Sequence, residues 1–199
     1  MALKQTPSQT IGPFFAYCLT PESFGHAGIA GPALPGLDNE AARIRIVGRL
    51  LDGAGSPVAD ALVEIWQADS AGNYPPPVTA GRDVLKDSAF RGFGRAATDS
   101  SGQFHFDTIK PGRVPGRGNL WQAPHINIVV LARGMLGHVF TRLYFSDETT
   151  ANDEDPVLGS VTPPRRKTLI AERITDAAGV VYRFDIRLQG EAETVFFDV

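Results

Sequence analysis

A single cysteine, Cys18, is all the thiol that 199 residues carry. One thiol cannot close an intrachain disulfide, so no covalent framework substitutes for a hydrophobic core. Excess positive charge is also missing. Nineteen Lys and Arg against 22 Asp and Glu give a formal net charge of −3, which argues against nucleic-acid binding driven by phosphate neutralisation. Long apolar runs are absent too. The longest uncharged stretch, residues 5–21, is interrupted by Pro7, Gly12 and Pro13 and is too polar for a membrane span. The first seven residues lack the apolar centre of a signal peptide. The expected setting is soluble and cytoplasmic.

Helical periodicity is scarce as well; only residues 165–174 carry a plausible helical spacing. What the chain has instead is turn chemistry. Its 21 glycines and 15 prolines stand well above the usual combined share of about 12%. Ile44, Ile46, Gly48 and Leu50 alternate with Arg43, Arg45, Val47 and Arg49, the period of a half-buried strand. The same period recurs at 62–67 and 103–108, and β-rich runs follow at 125–131, 138–145, 180–188 and 194–198. Asp-x-x-Gly recurs at Asp52, Asp69, Asp99 and Asp176; Asp caps such turns through its side chain and Gly supplies positive φ. Strands at turn-punctuated intervals predict an all-β chain, a β-sandwich with at most short helices. Residues 43–199 form that sandwich in this reading. Residues 1–42, rich in Pro and Gly yet carrying Phe14, Phe15, Tyr17, Leu19 and Phe24, form an extended arm that needs a surface to pack on, expected to be that of a partner chain.

Few residues offer chemistry. The Gly-x-Gly at Gly92 lacks a following helix and is set aside. His105 lies on the polar face of its strand, and His26 and His138 have no second ligand nearby in sequence. His125 and Asn127, two apart on a strand, share a face, but an amide is a poor transition-metal ligand and the pair offers one good donor. His125 is expected to be a structural, hydrogen-bonded histidine. The acidic stretch 147–155 has no EF-hand spacing and is expected to be a solvated loop.

Taken together, seven strings in order resemble the intradiol ring-cleavage dioxygenases: TPSQTIGPFF at 6–15, VEIWQADSAGNY at 63–74, TDSSG at 98–102, IKPG at 109–112, APHIN at 123–127, TRLYF at 141–145 and YRFDI at 182–186. The resemblance covers essentially the whole chain. With the terminal GEAETVFFD at 190–198, it is closest to the alpha-type chain of members built from two kinds of chain. That family holds a ferric ion with two tyrosines and two histidines. Carried over residue by residue, the first tyrosine falls on Tyr74, the second on Val114, and the histidines on His125 and Asn127. The family's active-site arginine falls on Gln122. Two of four ligands would remain, so the resemblance implies no metal and no catalytic residue in this chain. Fe(III) would be bound by a partner beta chain. The implied assembly is a higher hetero-oligomer that cleaves protocatechuate with O2 to 3-carboxy-cis,cis-muconate, with Thr10, Gly12, Pro13 and Phe14 as a wall of the partner's substrate pocket. Arg133 is the residue chosen to face the substrate carboxylate, since a guanidinium there offers charge-assisted recognition. Two alternatives stay open: a self-sufficient enzyme with iron on Tyr74, His125 and Tyr144, and a non-enzymatic β-sandwich binding module.

Overall fold

The computed structural model describes residues 17–34, 43–75, 90–176 and 179–198. Eleven strands are found among them: β1 (Arg43–Leu51), β2 (Leu62–Gln67), β3 (Phe93–Ala97), β4 (Gln103–Ile109), β5 (Val114–Pro115), β6 (Trp121–Gln122), β7 (His125–Leu131), β8 (Val139–Phe145), β9 (Ile170–Asp176), β10 (Gly179–Arg183) and β11 (Ile186–Arg187). Three short helices stand between β8 and β9: α1 (Thr149–Glu154), α2 (Pro156–Ser160) and α3 (Pro163–Arg166). The expected all-β sandwich is the observed fold. None of the described helices is long and apolar enough to cross a membrane.

One layer is built on β1, which pairs with β4 on one side and, in parallel, with β10 and then β11 on the other. The second layer runs β8-β7-β2-β3, all antiparallel. β9 joins the layers: Ile170 and Ala171 pair in parallel with β8, and Glu172–Asp176 pair with β10. Alternation decides which faces meet. Ile44, Ile46 and Leu50 of β1, Phe104 and Phe106 of β4, and Tyr182 of β10 pack against Val63, Ile65, Ile126, Ile128, Val130, Leu143 and Phe145. Burying such side chains contributes about 1.5–3 kcal/mol each. Gln67 ties the layers across the core: its Nε2 donates to the Ile109 carbonyl at 2.9 Å, and its Oε1 accepts from the Thr108 hydroxyl at 2.8 Å.

Three of the four Asp-x-x-Gly turns lie wholly among the described residues and form as the sequence predicts. In each, the Asp carboxylate accepts from the backbone N–H two and four residues on, at 2.8–2.9 Å. Gly55, Gly72 and Gly102 supply φ of +84°, +83° and +73°.

Two local expectations are corrected, and one strand appears that the periodicity did not predict. The helical period at 165–174 gives way to β9 from Ile170 onward, because open edges of β8 and β10 supply pairing partners there. β3 is a strand that hydrophobic period conceals, since its inward positions are Gly94 and Ala96. A Cβ on Gly94 would press on Leu34, Phe106 and Ile65, so close packing, not a phosphate loop, accounts for that glycine. The acidic stretch 147–155 is no solvated loop: it enters α1, and Asp155 is only 1% exposed.

Part of the arm packs on this chain's own sandwich. Gly31 and Pro32 accept backbone bonds from Arg95 and Asp107, and Leu34 donates back to Asp107. Leu34 is buried in the main core. The pocket-wall positions Thr10, Gly12, Pro13 and Phe14 lie outside the described residues.

Candidate functional site

The outward face of the second layer carries the chemistry-bearing residues. His125 and Asn127 share that face of β7, and the register sets Tyr144 opposite His125, Arg142 opposite Asn127, and Trp66 of β2 on the other flank of Asn127. Tyr74 arrives from the Asp69 turn. That turn is fixed to the segment before β5, since Gly112 N–H donates to the Asp69 carbonyl at 2.9 Å. A Cβ on Gly72 would overlap the Arg113 carbonyl, so a glycine there brings Tyr74 to the strand pair on both steric and dihedral grounds. The Tyr74 ring stacks on Trp66 with centroids 5.9 Å apart.

Hydrogen bonds then order the group. A carbonyl only accepts, so His125 Nδ1 carries the proton it donates to the Ala123 carbonyl at 2.8 Å. Nε2 is left as an acceptor facing the Tyr74 hydroxyl at 3.4 Å, and Asn127 Nδ2 donates to that hydroxyl at 3.2 Å. Asn127 Oδ1 is buried without a partner. Burial raises the Tyr74 phenol above its ordinary pKa, while the Asn127 bond and the nearby Arg142 charge pull it back.

Beneath this group Asp155 organises the covered end of the face. Oδ2 accepts from Ala123 N–H at 2.7 Å. Oδ1 accepts from the Tyr144 hydroxyl at 3.2 Å and from Val157 and Leu158 N–H at 2.8 and 2.7 Å, capping α2. Tyr144, Ala123, Ala151, Leu158, Val161 and Leu169 form a second small core around it. Tyr144 is thus committed to Asp155, and burial and that carboxylate push its phenol further up. The alternative iron site on Tyr74, His125 and Tyr144 is not assembled here.

His125 is 2% exposed, and burial first, the Arg142 charge second, lower its pKa from 6.5 to about 4. The sign follows from proton uptake. Above pH 6.5 both folded and unfolded forms are neutral; as pH falls toward about 4, only the unfolded chain takes the proton, so stability is lost over that window. Between pH 7 and pH 4, wild type is expected to lose up to about 3 kcal/mol more than His125→Gln, read by urea denaturation at each pH. Parallel losses in the two proteins would show that His125 is not held neutral.

The positions carried over for iron can be weighed directly. Tyr74 and His125 come together, Val114 is an apolar residue 3% exposed on β5, and Asn127 offers an amide. Gln122 Oε1 accepts from Arg142 Nη1 at 2.7 Å, so a cation already stands at the group. This donor set does not fit a ferric ion, which needs anionic oxygen ligands. Among the described residues no cluster of three His, Cys, Asp or Glu is placed to hold a metal.

Arg133 lies elsewhere. It follows β7 in a turn closed by Gly134 at φ +84°, past the far end of a strand that runs roughly 20 Å from His125 to Leu131. Its side chain is 62% exposed and pairs with Asp60 at 3.3 Å. Arg142 and Asp155 are the residues that sequence reasoning passed over as members of the site. The spacing of Arg142 two residues before Tyr144, and Asp155 directly before Pro156 as an N-cap signal, were the available clues.

Comparison with known proteins agrees with this architecture. A family model described as Dioxygenase matches residues 32–190. The chain is 46% identical to the protocatechuate 3,4-dioxygenase alpha chain of Burkholderia cepacia over 99% of its own length and 98% of that protein. It is 35% identical to the beta chain of the same organism's enzyme over 76% of its own length and 66% of that chain. In fold it is similar to an intradiol ring-cleavage dioxygenase from Tetranychus urticae, with a TM-score of 0.61 and 21% identity, covering 95% of this chain and 98% of the other. The chain belongs to the intradiol ring-cleaving dioxygenase family.

Proposed function

We propose that this chain is the alpha subunit of a cytoplasmic protocatechuate 3,4-dioxygenase. It joins a beta chain that carries the ferric ion, within a larger hetero-oligomer, and completes that chain's substrate pocket. The reaction opens the aromatic ring between the two hydroxylated carbons, adds both atoms of O2, and yields 3-carboxy-cis,cis-muconate. The observation that carries the reading is the pairing of full-length likeness to an alpha chain with a home centre whose donors do not suit ferric iron. Within this chain, Arg133 supplies an exposed guanidinium for the substrate carboxylate once it leaves Asp60, and Thr10, Gly12, Pro13 and Phe14 supply the pocket wall.

The experiment is oxygen uptake with protocatechuate, using this chain alone, a beta-type chain alone and the two co-expressed. Turnover is expected to need the beta chain and to be strongest in the co-purified complex. A lone chain that turns over protocatechuate would contradict the proposal. Deleting residues 1–15 removes Ile11, Phe14 and Phe15 and leaves every described strand in place. The truncated chain should keep its circular dichroism spectrum and lose partner affinity or substrate turnover. An unfolded truncation product would assign the arm to this chain's own core instead.

A further inference from the structure

The group around Tyr74 offers a metal little: the acceptor it leaves open is the neutral amide oxygen Oδ1 of Asn127, buried without a partner. His125 Nε2, the ring's remaining acceptor, faces the Tyr74 hydroxyl, and Asn127 donates to that same hydroxyl. Arg142 stands directly across the strand pair from Asn127, where Cβ atoms lie about 4.5–5.5 Å apart. Its guanidinium is fixed from outside: Nη1 donates to Gln122 Oε1 at 2.7 Å, and Gln122 Nε2 in turn donates to the Pro115 carbonyl at 3.2 Å. The charge reaches every group of the centre. It draws down the Tyr74 and Tyr144 phenols and helps keep His125 neutral. Arg142 makes no ion pair among the described residues; the Asp155 carboxylate opposes its field at His125 and Tyr144, but is itself taken up by four hydrogen bonds.

We propose that Arg142 is the resident cation of this centre: its guanidinium, pinned by Gln122 beside Tyr74, His125 and Asn127, stands in for a metal's charge and keeps metal ions out. A guanidinium stays protonated at every working pH, and its repulsion of a di- or trivalent ion grows with the ion's charge. Missing ligands are then only half of the barrier to iron. The inference rests on family membership and on this geometry, not on the subunit reading, so either can fail without the other.

The test is the iron content of the full chain, expressed without a partner in iron-replete medium, with folding checked by circular dichroism. Val114→Tyr with Asn127→His restores the donor types and is expected to hold less than about 0.1 iron per chain while Arg142 remains. Adding Arg142→Gln should raise that content at least about fivefold and bring a visible tyrosinate-to-iron absorption. Adding Arg142→Lys instead keeps the charge and should leave the content at the double variant's level. Near-stoichiometric iron in the double variant would overturn the proposal. So would a folded triple variant with Gln that binds no more than the double, or a Lys variant that binds as much as the Gln one. Should the triple variants not fold, Arg142→Gln in the otherwise natural chain carries the test. Its Cu2+ affinity, read by titration, should exceed wild type by at least about tenfold, with Arg142→Lys unchanged. Equal affinities in all three overturn the proposal.

Discussion

Replacing Asp155 with alanine is expected to cost the fold about 3–5 kcal/mol, a drop in Tm of roughly 10 °C or more for a chain of this size. The magnitude follows from what the carboxylate serves. It is 1% exposed and accepts four hydrogen bonds, from Ala123, Tyr144, Val157 and Leu158. Alanine removes the cap of α2, worth about 1–2 kcal/mol. It also strands the Ala123 N–H and the Tyr144 hydroxyl, both in residues with no exposed surface, at about 1–3 kcal/mol each. An asparagine side chain keeps one acceptor oxygen, so Asp155→Asn should fall between alanine and wild type. Urea denaturation of the three proteins gives the ordering. A loss below about 1 kcal/mol in Asp155→Ala would mean that water takes over the carboxylate's role.

Arg133→Ala is expected to lower kcat/KM for protocatechuate by roughly 10- to 150-fold in the complex with a beta chain, with turnover of catechol little changed. Protocatechuate differs from catechol by a ring carboxylate, and a desolvated charge-assisted contact to it contributes about 1.5–3 kcal/mol. The side chain is free to make it: its partner Asp60 is itself 57% exposed, and such surface pairs are worth only about 0–1 kcal/mol. The loss should lie mainly in KM if the carboxylate anchors the bound substrate without changing the chemical step. Equal losses for both substrates would assign Arg133 to the subunit contact. No loss for either would leave it a surface residue.

Strands that bury large side chains on one face were legible. β1, β4 and β7 follow the alternation of their Ile, Phe and Val residues, and β7 spans 125–131 as expected. β3 was hidden because close approach to Leu34, Phe106 and Ile65 demands Gly94 and Ala96 where a hydrophobic pattern would show. β9 was hidden because its conformation is set by two partners far away in sequence rather than by its own residues. The acidic stretch misled for a related reason: five carboxylates signal solvent, and nothing local shows that Asp155 alone turns inward to meet Ala123 and Tyr144. At the site, the pairing of His125 with Asn127 on one face was readable from period two. Arg142 was not, since only the β7–β8 register sets it opposite Asn127.

Iron stoichiometry is the most direct measurement of the central claim, that this chain serves an iron site it does not itself contain. The chain purified alone should be colourless and hold less than about 0.1 iron per chain, while the co-expressed pair should be red-brown with one iron for each alpha–beta pair. Iron near one per chain in the lone protein, or two per pair in the complex, would contradict it.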